Sequence, residues 1–426
     1  MKVLVISHNP LGTQFNMSKT LVSLLSSLKR EEMCQLYVYP ALPDMDLCSS
    51  YFRVTDKDIL SSYYKFRLNC GEVKPCCDTH NMYENLNDEK LYTNPKNKND
   101  IRMLFRDAMW KCAHWYTKKL ENWLEKENPT CIFVAPGPAT FLYNIALKIS
   151  KERNLPIVTY ICDDYYFVNK PKSFIASFRV ALLKKKICKL MQVTSKLVVI
   201  CDALKNEFSK EFGVSTTTIM TGSDFIHLNN PKIAESPTKL SYFGNLSCNR
   251  HLSLADIGRE LDLINKNKGT DLKLNIYTAE KNPDIISVFS DIKSVNIRPF
   301  ISGDAFKSAL LTSELLLHVE AFDEQSIDTV KHSVSTKIAD SLASGIPFVA
   351  YGPSNVASLE YLISKECAIV ATSNEEIENA LCKAFFDKKA RESVVCNAVK
   401  TAQTYHNSLE NSKRLLSIFE EIQEKI

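Results

Sequence analysis

The sequence predicts an α/β protein of two domains, each built on a parallel sheet with helices on both faces. Three observations lead there. Short β-branched or apolar runs alternate with stretches of helical length along the whole chain, the pattern of strands joined by helical crossovers. At 426 residues the chain exceeds one ordinary core and fits two domains of about 200 residues each. Residues 222–238, GSDFIHLNNPKIAESPT, are polar, contain two prolines and lack either periodicity; they follow one series of strands and precede another that starts afresh. The predicted division is 1–225, 226–400, and a charged helical tail, 401–426, placed to cross back onto the first domain.

The strand-like runs of the first half are Val3–Ser7, Gln35–Tyr39, Cys131–Ala135, Ile157–Ile161, Leu197–Cys201 and Thr217–Met220. Those of the second half are Leu240–Gly244, Leu272–Tyr277, Leu315–Val319, Phe348–Tyr351 and Ala368–Ala371. Helical stretches between them include Met17–Leu28, Ile101–Lys126 and Asn374–Phe386. Residues 78–100 are very polar and read as a mobile loop.

Composition narrows the function classes. Apolar residues make up 45% and charged residues 24%, enough for two proper cores without disulfides or a structural metal. A net charge of +4 is too weak by itself to argue for nucleic acid. Several of the fourteen cysteines sit inside apolar runs, such as Cys131, Cys162 and Cys201, where a free thiol acts as a small buried hydrophobe. Cys70, Cys76, Cys77 and His80 cluster in sequence, but their spacing matches no common metal module, so no metal is expected. The N-terminus enters a strand pattern directly, without a leader, and no run approaches the roughly 20 apolar residues of a membrane span. These features predict a cytoplasmic protein, free or peripheral at the inner face of a membrane.

In open parallel sheets ligands sit beyond the carboxyl ends of strands, often at helix N-termini. After the first strand, HNPLGTQF places Gly12 before a helix; the residue suits a phosphate or sugar, or a tight turn alone. The GxGxxG fingerprint is absent there, which counts against a dehydrogenase. After Ile157–Ile161 come Asp163 and Asp164, suited to acceptor hydroxyls or base catalysis, or to capping the next helix. Residues 169–196 carry eight lysines and arginines and no acid. Their apolar interleaving fits an anionic membrane surface or an ordinary solvated face.

The second domain opens with LSYFGN and continues to Arg250. A strand-end Gly244 with Asn245, followed by a cation near a helix start, suits a diphosphate, or is a turn with a solvated arginine. Glu320 ends the strand LLLHV. Beyond it, Ser335, Thr336 and Lys337 begin a helix with Asp340 on the same face. Hydroxyls plus lysine at a helix start hold phosphate oxygens, and a carboxylate one turn later accepts ribose hydroxyls. A capped helix with an i,i+3 salt bridge explains part of the same cluster. Gly345-Ile346-Pro347 closes it.

ADSLASGIPFVA resembles the helix–turn–strand element of the group 1 glycosyltransferases, which have the GT-B fold of two facing Rossmann-like domains with a cleft between them. The resemblance covers nearly the whole chain, and its specific motifs lie in the second domain. Asp340 takes the acidic place five positions before the Gly-x-Pro turn, where the family implies a ribose contact. The family's second carboxylate, eight positions upstream, is here His332, with Glu320 as the replacement. Ser335-Thr336-Lys337 is similar to a variant subgroup with Ser/Thr-Lys at this turn. At the diphosphate site the family's Arg and Lys correspond to Asn245 and Arg250, and Lys337 restores the missing charge. Cys162 precedes Asp163 where many relatives have histidine.

The resemblance implies transfer of a sugar from a nucleotide sugar to a hydroxyl acceptor (a glycan, lipid-linked or protein acceptor), with retention at the anomeric carbon. No cofactor is implied beyond the nucleotide sugar itself. Arg250 and Lys337 stabilise the departing diphosphate in place of a metal. Gly12 lies under the donor phosphates or sugar, and Asp163 and Asp164 address the acceptor. Gly244, Asn245, Glu320, Ser335, Thr336 and Asp340 hold the donor. A basic first-domain helix fits a lipid-linked acceptor, as in bacterial surface-polysaccharide or glycolipid synthesis. The rivals are a sugar-nucleotide 2-epimerase, separated by its products, and a non-catalytic partner subunit, to which the departures at Asn245 and His332 point. Few aromatics line the basic stretch, so no nucleic acid is expected.

Overall fold

The computed structural model describes residues 1–65, 70–76, 100–167, 173–223, 225 and 233–425. The polar stretch 78–99, Cys77, His80, Lys170 and Lys172 lie outside the described residues. The chain divides into two compact units: Met1–Met220 with Ser408–Ile426, and Thr221–Asn407.

The first unit holds β1 (Val3–Ser7), β2 (Met33–Tyr37), β3 (Tyr51–Arg53), β4 (Gly71–Val73), β5 (Cys131–Ala135), β6 (Ile157–Ile161), β7 (Thr194–Val199) and β8 (Thr216–Thr218). They form one sheet in the order β4-β3-β2-β1-β5-β6-β7-β8. Every pairing is parallel except that of β4, which runs antiparallel to β3 along the edge. β1, β5 and β6 are buried at every residue, which is why they read as nearly continuous apolar runs. The winding direction reverses between β1 and β5, the topological switch point of this sheet.

The second unit repeats the plan with β9 (Lys239–Phe243), β10 (Lys273–Thr278), β11 (Val295–Pro299), β12 (Leu315–Val319), β13 (Phe348–Tyr351) and β14 (Ile369–Ala371). Their order is β11-β10-β9-β12-β13-β14, all parallel, with the reversal between β9 and β12. Leu240, Leu254, Leu274, Leu317, Val349 and Leu381 belong to one continuous core that joins sheet to helices.

Three expectations are corrected. The helical pattern 101–126 is two helices, Asp100–Cys112 and Lys118–Glu127. The Thr117 hydroxyl accepts from the Leu120 amide and caps the second afresh. The tail does not begin at 401. A helix runs Lys388–Tyr405, the chain breaks at His406, and a separate helix Ser408–Gln423 packs against helix Asn16–Leu25 of the first unit. Asn411 donates to the Met220 carbonyl at 2.8 Å and the Ser27 amide donates to the Ser412 hydroxyl at 2.7 Å. The basic stretch, though free of acids in sequence, gains one in space: Arg179 pairs with Asp100 at 2.8 Å. No helix among the described residues is long and apolar enough to cross a membrane.

Candidate active site

The switch point of the second sheet brings the ends of β9 and β12 side by side, and the residues following both strands interlock. After β9 the chain turns at Gly244 and Asn245. The Tyr242 hydroxyl donates to the Asn245 carbonyl at 2.8 Å. A Cβ on Gly244 would stand 2.7 Å from that hydroxyl, so the turn closes only around glycine. Cys248 and Asn249 then adopt left-handed conformations, φ 53° and 52°, which for Cys248 costs about 1–2 kcal/mol. Asn249 is anchored by donating to Asp323 at 3.0 Å. This strained loop aims the first turn of helix Arg250–Lys268, with its positive dipole end, at the switch point.

Arg250 opens that helix and closes a fork on Glu320. Nε donates to Oε2 at 3.0 Å and Nη2 to Oε1 at 3.1 Å, while Nη1 donates to Asn245 Oδ1 at 3.1 Å. The Glu320 side chain is 2% exposed and that of Arg250 16%. His318 Nε2 stands 3.2 Å from Glu320 Oε1. Burial alone would raise the carboxyl's pKa, but the close approach of His318 and the paired Arg250 guanidinium reverse this and hold it below the ordinary range. Burial likewise opposes the charge on Arg250, and Glu320 outweighs it, so the guanidinium pKa rises. The Ser253 hydroxyl donates to the Glu320 carbonyl at 2.9 Å and fixes the strand end. A Cβ on Gly352, at the end of β13, would lie 3.0 Å from Glu320 Cβ and 3.1 Å from its amide nitrogen. Glycine there lets the two strand ends meet.

Helix Thr336–Ala343 begins beside this pair with Ser335 at its N-cap, and the Ser335 hydroxyl makes no capping bond. Lys337 reaches solvent. Desolvation where its ammonium meets the protein, together with the charge of Arg250, nonetheless lowers its pKa, partly offset by Asp340 and Glu320. No hydrogen bond or ion pair holds Lys337 among the described residues. Asp340 accepts from the Ser223 hydroxyl at 2.7 Å, tying the helix to the segment that enters this unit. The structure thus gathers Gly244, Asn245, Arg250, Glu320, Ser335, Thr336, Lys337 and Asp340 on one face of one unit. Arg250 pairs with a deeply buried carboxylate there, and the charge of Lys337 acts on the pair without touching it.

The other three candidates belong to the first unit. A Cβ at Gly12 would fall 1.6 Å from Asp44 Oδ1, a carboxylate that accepts from the Thr13 amide and hydroxyl. Glycine is thus required by the turn itself. Asp164 Oδ1 accepts from the amides of Tyr166 and Phe167, both at 2.8 Å, and shapes its own loop. Asp163 is exposed and accepts from the Tyr165 hydroxyl at 3.2 Å. His318, Gly352, Asn249 and Asp323 escaped the sequence reading. For His318 the signal was present: a histidine inside the apolar run LLLHV is unusual unless paired. Beyond β1 a second pairing also went unseen, in which Arg106 bonds Asp56 at 2.8 Å and His8 Nε2 at 3.1 Å. Of the sequence cluster considered for metal, Cys70 is buried and Cys76 half-buried, and the described residues hold no group of ligands suited to an ion.

No protein-family model matches the chain, and no curated protein matches it in sequence. Solved structures do match over its full length. A glycosyltransferase from Rickettsia africae superposes with a TM-score of 0.60 at 13% identity, covering 100% of both chains. Anabaena HepE in complex with UDP gives 0.62 at 12%, over 99% of this chain and 100% of that one. Sucrose-phosphate synthase from Thermosynechococcus elongatus gives 0.61 at 10%, over 100% of both. The chain has the GT-B fold. At these identities the likeness is one of architecture. The GT-B plan accounts for the two parallel sheets, each reversing its winding once, and for the return of the C-terminal helix to the first unit.

Proposed function

We propose that the chain is a glycosyltransferase that moves a sugar from a nucleotide-sugar donor to a hydroxyl acceptor with retention at the anomeric carbon. The observation that carries the proposal is the Arg250–Glu320–Lys337 group at the switch point of the second sheet, beside two helix N-termini. In the reaction the bond between the anomeric carbon and the diphosphate breaks, its electron pair leaving with the phosphate. A bond forms from the acceptor oxygen to the same carbon, and the acceptor's proton passes to an oxygen of the departing phosphate. The charge that develops is on the diphosphate, so fixed cations facing it lower the barrier without reorganising. Glu320 holds Arg250 in one orientation and Lys337 supplies the uncommitted charge. Ser335 and Thr336 offer hydroxyls at the same helix start, and Asp340 is assigned to the ribose. In the first unit the exposed Asp163 is assigned to the acceptor and the Gly12 turn to the donor. That HepE is known in complex with UDP and with UDP-glucose supports a uridine nucleotide sugar as the first donor to try.

A lipid-linked acceptor of a surface polysaccharide or glycolipid is the second part of the proposal. Its support is an apolar tip on the basic helix Phe174–Met191, where Phe174 is 86% and Phe178 53% exposed. On the helix packed beside it, Phe105 is 67% exposed. Side chains of this kind, with lysines alongside, insert into an anionic bilayer surface.

The test is binding and hydrolysis of a panel of nucleotide sugars by the purified protein and by Lys337→Ala. One nucleotide sugar that binds, is slowly hydrolysed to free nucleotide and loses about tenfold or more affinity in the variant supports both reaction and site. Binding without turnover favours a non-catalytic partner subunit, a reading to which the closure of Arg250 on Glu320 and Asn245 lends support. Failure of every donor to bind a folded protein overturns the assignment. Flotation with anionic vesicles, lost in Phe174→Ser/Phe178→Ser, tests the membrane part.

A further inference from the structure

A solvent-open cavity of about 470 Å³ lies in the first unit, lined by Trp110, Trp115, Tyr116, Lys148, Lys186 and their neighbours. Its volume falls within the range of about 300–1,000 Å³ usual for small-ligand sites. All of its lining residues belong to the first unit, whereas the donor group lies in the second. The walls are the end of helix Asp100–Cys112 with the loop behind it, helix Thr140–Arg153, and the later turns of helix Phe174–Met191. These are helical faces on the flank of the sheet.

Two chemistries meet in this cavity. The first is aromatic: Trp115 and Tyr116 are half-buried and nearly perpendicular, 5.8 Å apart at 81°. Trp110 is fixed behind them, stacked on Phe141 at 4.4 Å, with its indole N–H donating to Asp56 at 2.6 Å. The second is cationic. Lys111, Lys148 and Lys186 line the cavity, and no carboxylate does so among the described residues. Lys148 is held by Glu152 at 2.6 Å and lies 5.5 Å from the centre of the Tyr116 ring. Lys186 donates to the neutral Asn144 amide at 2.5 Å. It sits among the like charges of Lys111, Lys185 and Lys189, relieved by Asp107, and burial with these charges lowers its pKa. A half-buried lysine whose bonded partner is neutral, within a group of cations, is stabilised by an incoming anion. Flat aromatic faces beside it fit the C–H face of a pyranose, which packs without displacing the sugar's hydroxyls from water.

We propose that this cavity binds an anionic saccharide, a sugar ring carrying a phosphate, sulfate or carboxylate, at a site separate from the nucleotide-sugar group. The anion lies between Lys186 and Lys148 and the ring rests on Trp115, with Tyr116 against its edge. This proposal does not depend on the donor assignment.

Two of the chain's three tryptophans line the cavity, so intrinsic fluorescence reads it directly. The full-length protein is titrated with glucose 6-phosphate, glucuronate, glucose and inorganic phosphate. Saturable change with one of the anionic sugars is expected, with glucose and phosphate each at least tenfold weaker. Lys186→Gln weakens the anionic sugar about tenfold, Trp115→Leu weakens it while leaving phosphate unchanged, and Lys337→Ala has no effect. Absence of saturation with either anionic sugar overturns the proposal. So does phosphate binding as tightly as glucose 6-phosphate, or a response that Lys337→Ala abolishes, which would place the binding at the donor group.

Discussion

The Arg250–Glu320 pair lends itself to a double-mutant cycle. Removing one partner of a buried, hydrogen-bonded ion pair leaves an uncompensated charge and costs about 3–5 kcal/mol, whereas replacing both with apolar residues is often close to neutral. Glu320 is almost fully enclosed, but the Arg250 side chain retains 16% exposure, so the lower end applies. Arg250→Met is therefore expected to destabilise the second unit by about 3 kcal/mol. Spread over a unit of this size, that corresponds to a melting shift of about 6–12 °C. Glu320→Leu costs a similar amount, because the guanidinium then keeps only Asn245 and the Ser247 carbonyl. The double variant is expected within about 1–2 kcal/mol of wild type, a coupling of several kcal/mol. Calorimetric melting of the four proteins at pH 7, with urea unfolding as a second measure, gives the cycle. Additive losses, or a single-variant cost under about 1 kcal/mol, would refute the view that the fork is closed and shielded from water.

Two other outcomes follow from the same geometry. His406 is buried, with Nδ1 2.7 Å from the Thr221 carbonyl and Nε2 2.9 Å from the Tyr361 hydroxyl, and burial lowers its pKa from 6.5 to about 4. The fold prefers the neutral ring, so its contribution is complete above pH 6.5 and is lost as pH falls towards 4. That loss is about 3 kcal/mol, and a stability–pH curve that is no flatter in His406→Gln would count against it. Gly352→Ala forces a methyl to within 3.0–3.2 Å of Glu320 Cβ and backbone. It should cost about 1–3 kcal/mol and weaken nucleotide-sugar binding, read by melting and calorimetric titration; a variant as stable as wild type would show that the strand ends have room to spare.

Five strands were legible in sequence to the residue. β1, β5, β6, β12 and β13 coincide with the predicted runs, since a parallel strand buried on both faces reads as a nearly continuous apolar run; β2, β7 and the central β9 were found with shifted ends. Others were not: β3, β4 and β11 escaped, being short or exposed, where β4 is Gly-Glu-Val and β11 ends on three exposed residues, while the edge strands β8 and β14 were found with shifted ends. An edge strand is defined by the neighbour it pairs with more than by its own composition. The break between Cys112 and Lys118 went unseen because apolar periodicity continues across it, and the decision fell to a local cap at Thr117. The same division holds for the candidate site. Arg250, Glu320 and Lys337 were each picked out from their places after a strand or at a helix start, a property of local sequence. That Glu320 is bound by Arg250, 70 positions away, that His318 and Gly352 complete its surroundings, and that Lys337 is left uncommitted were decided by tertiary structure alone. Strand order sets which loop ends meet, and no residue's own sequence neighbourhood encodes that order.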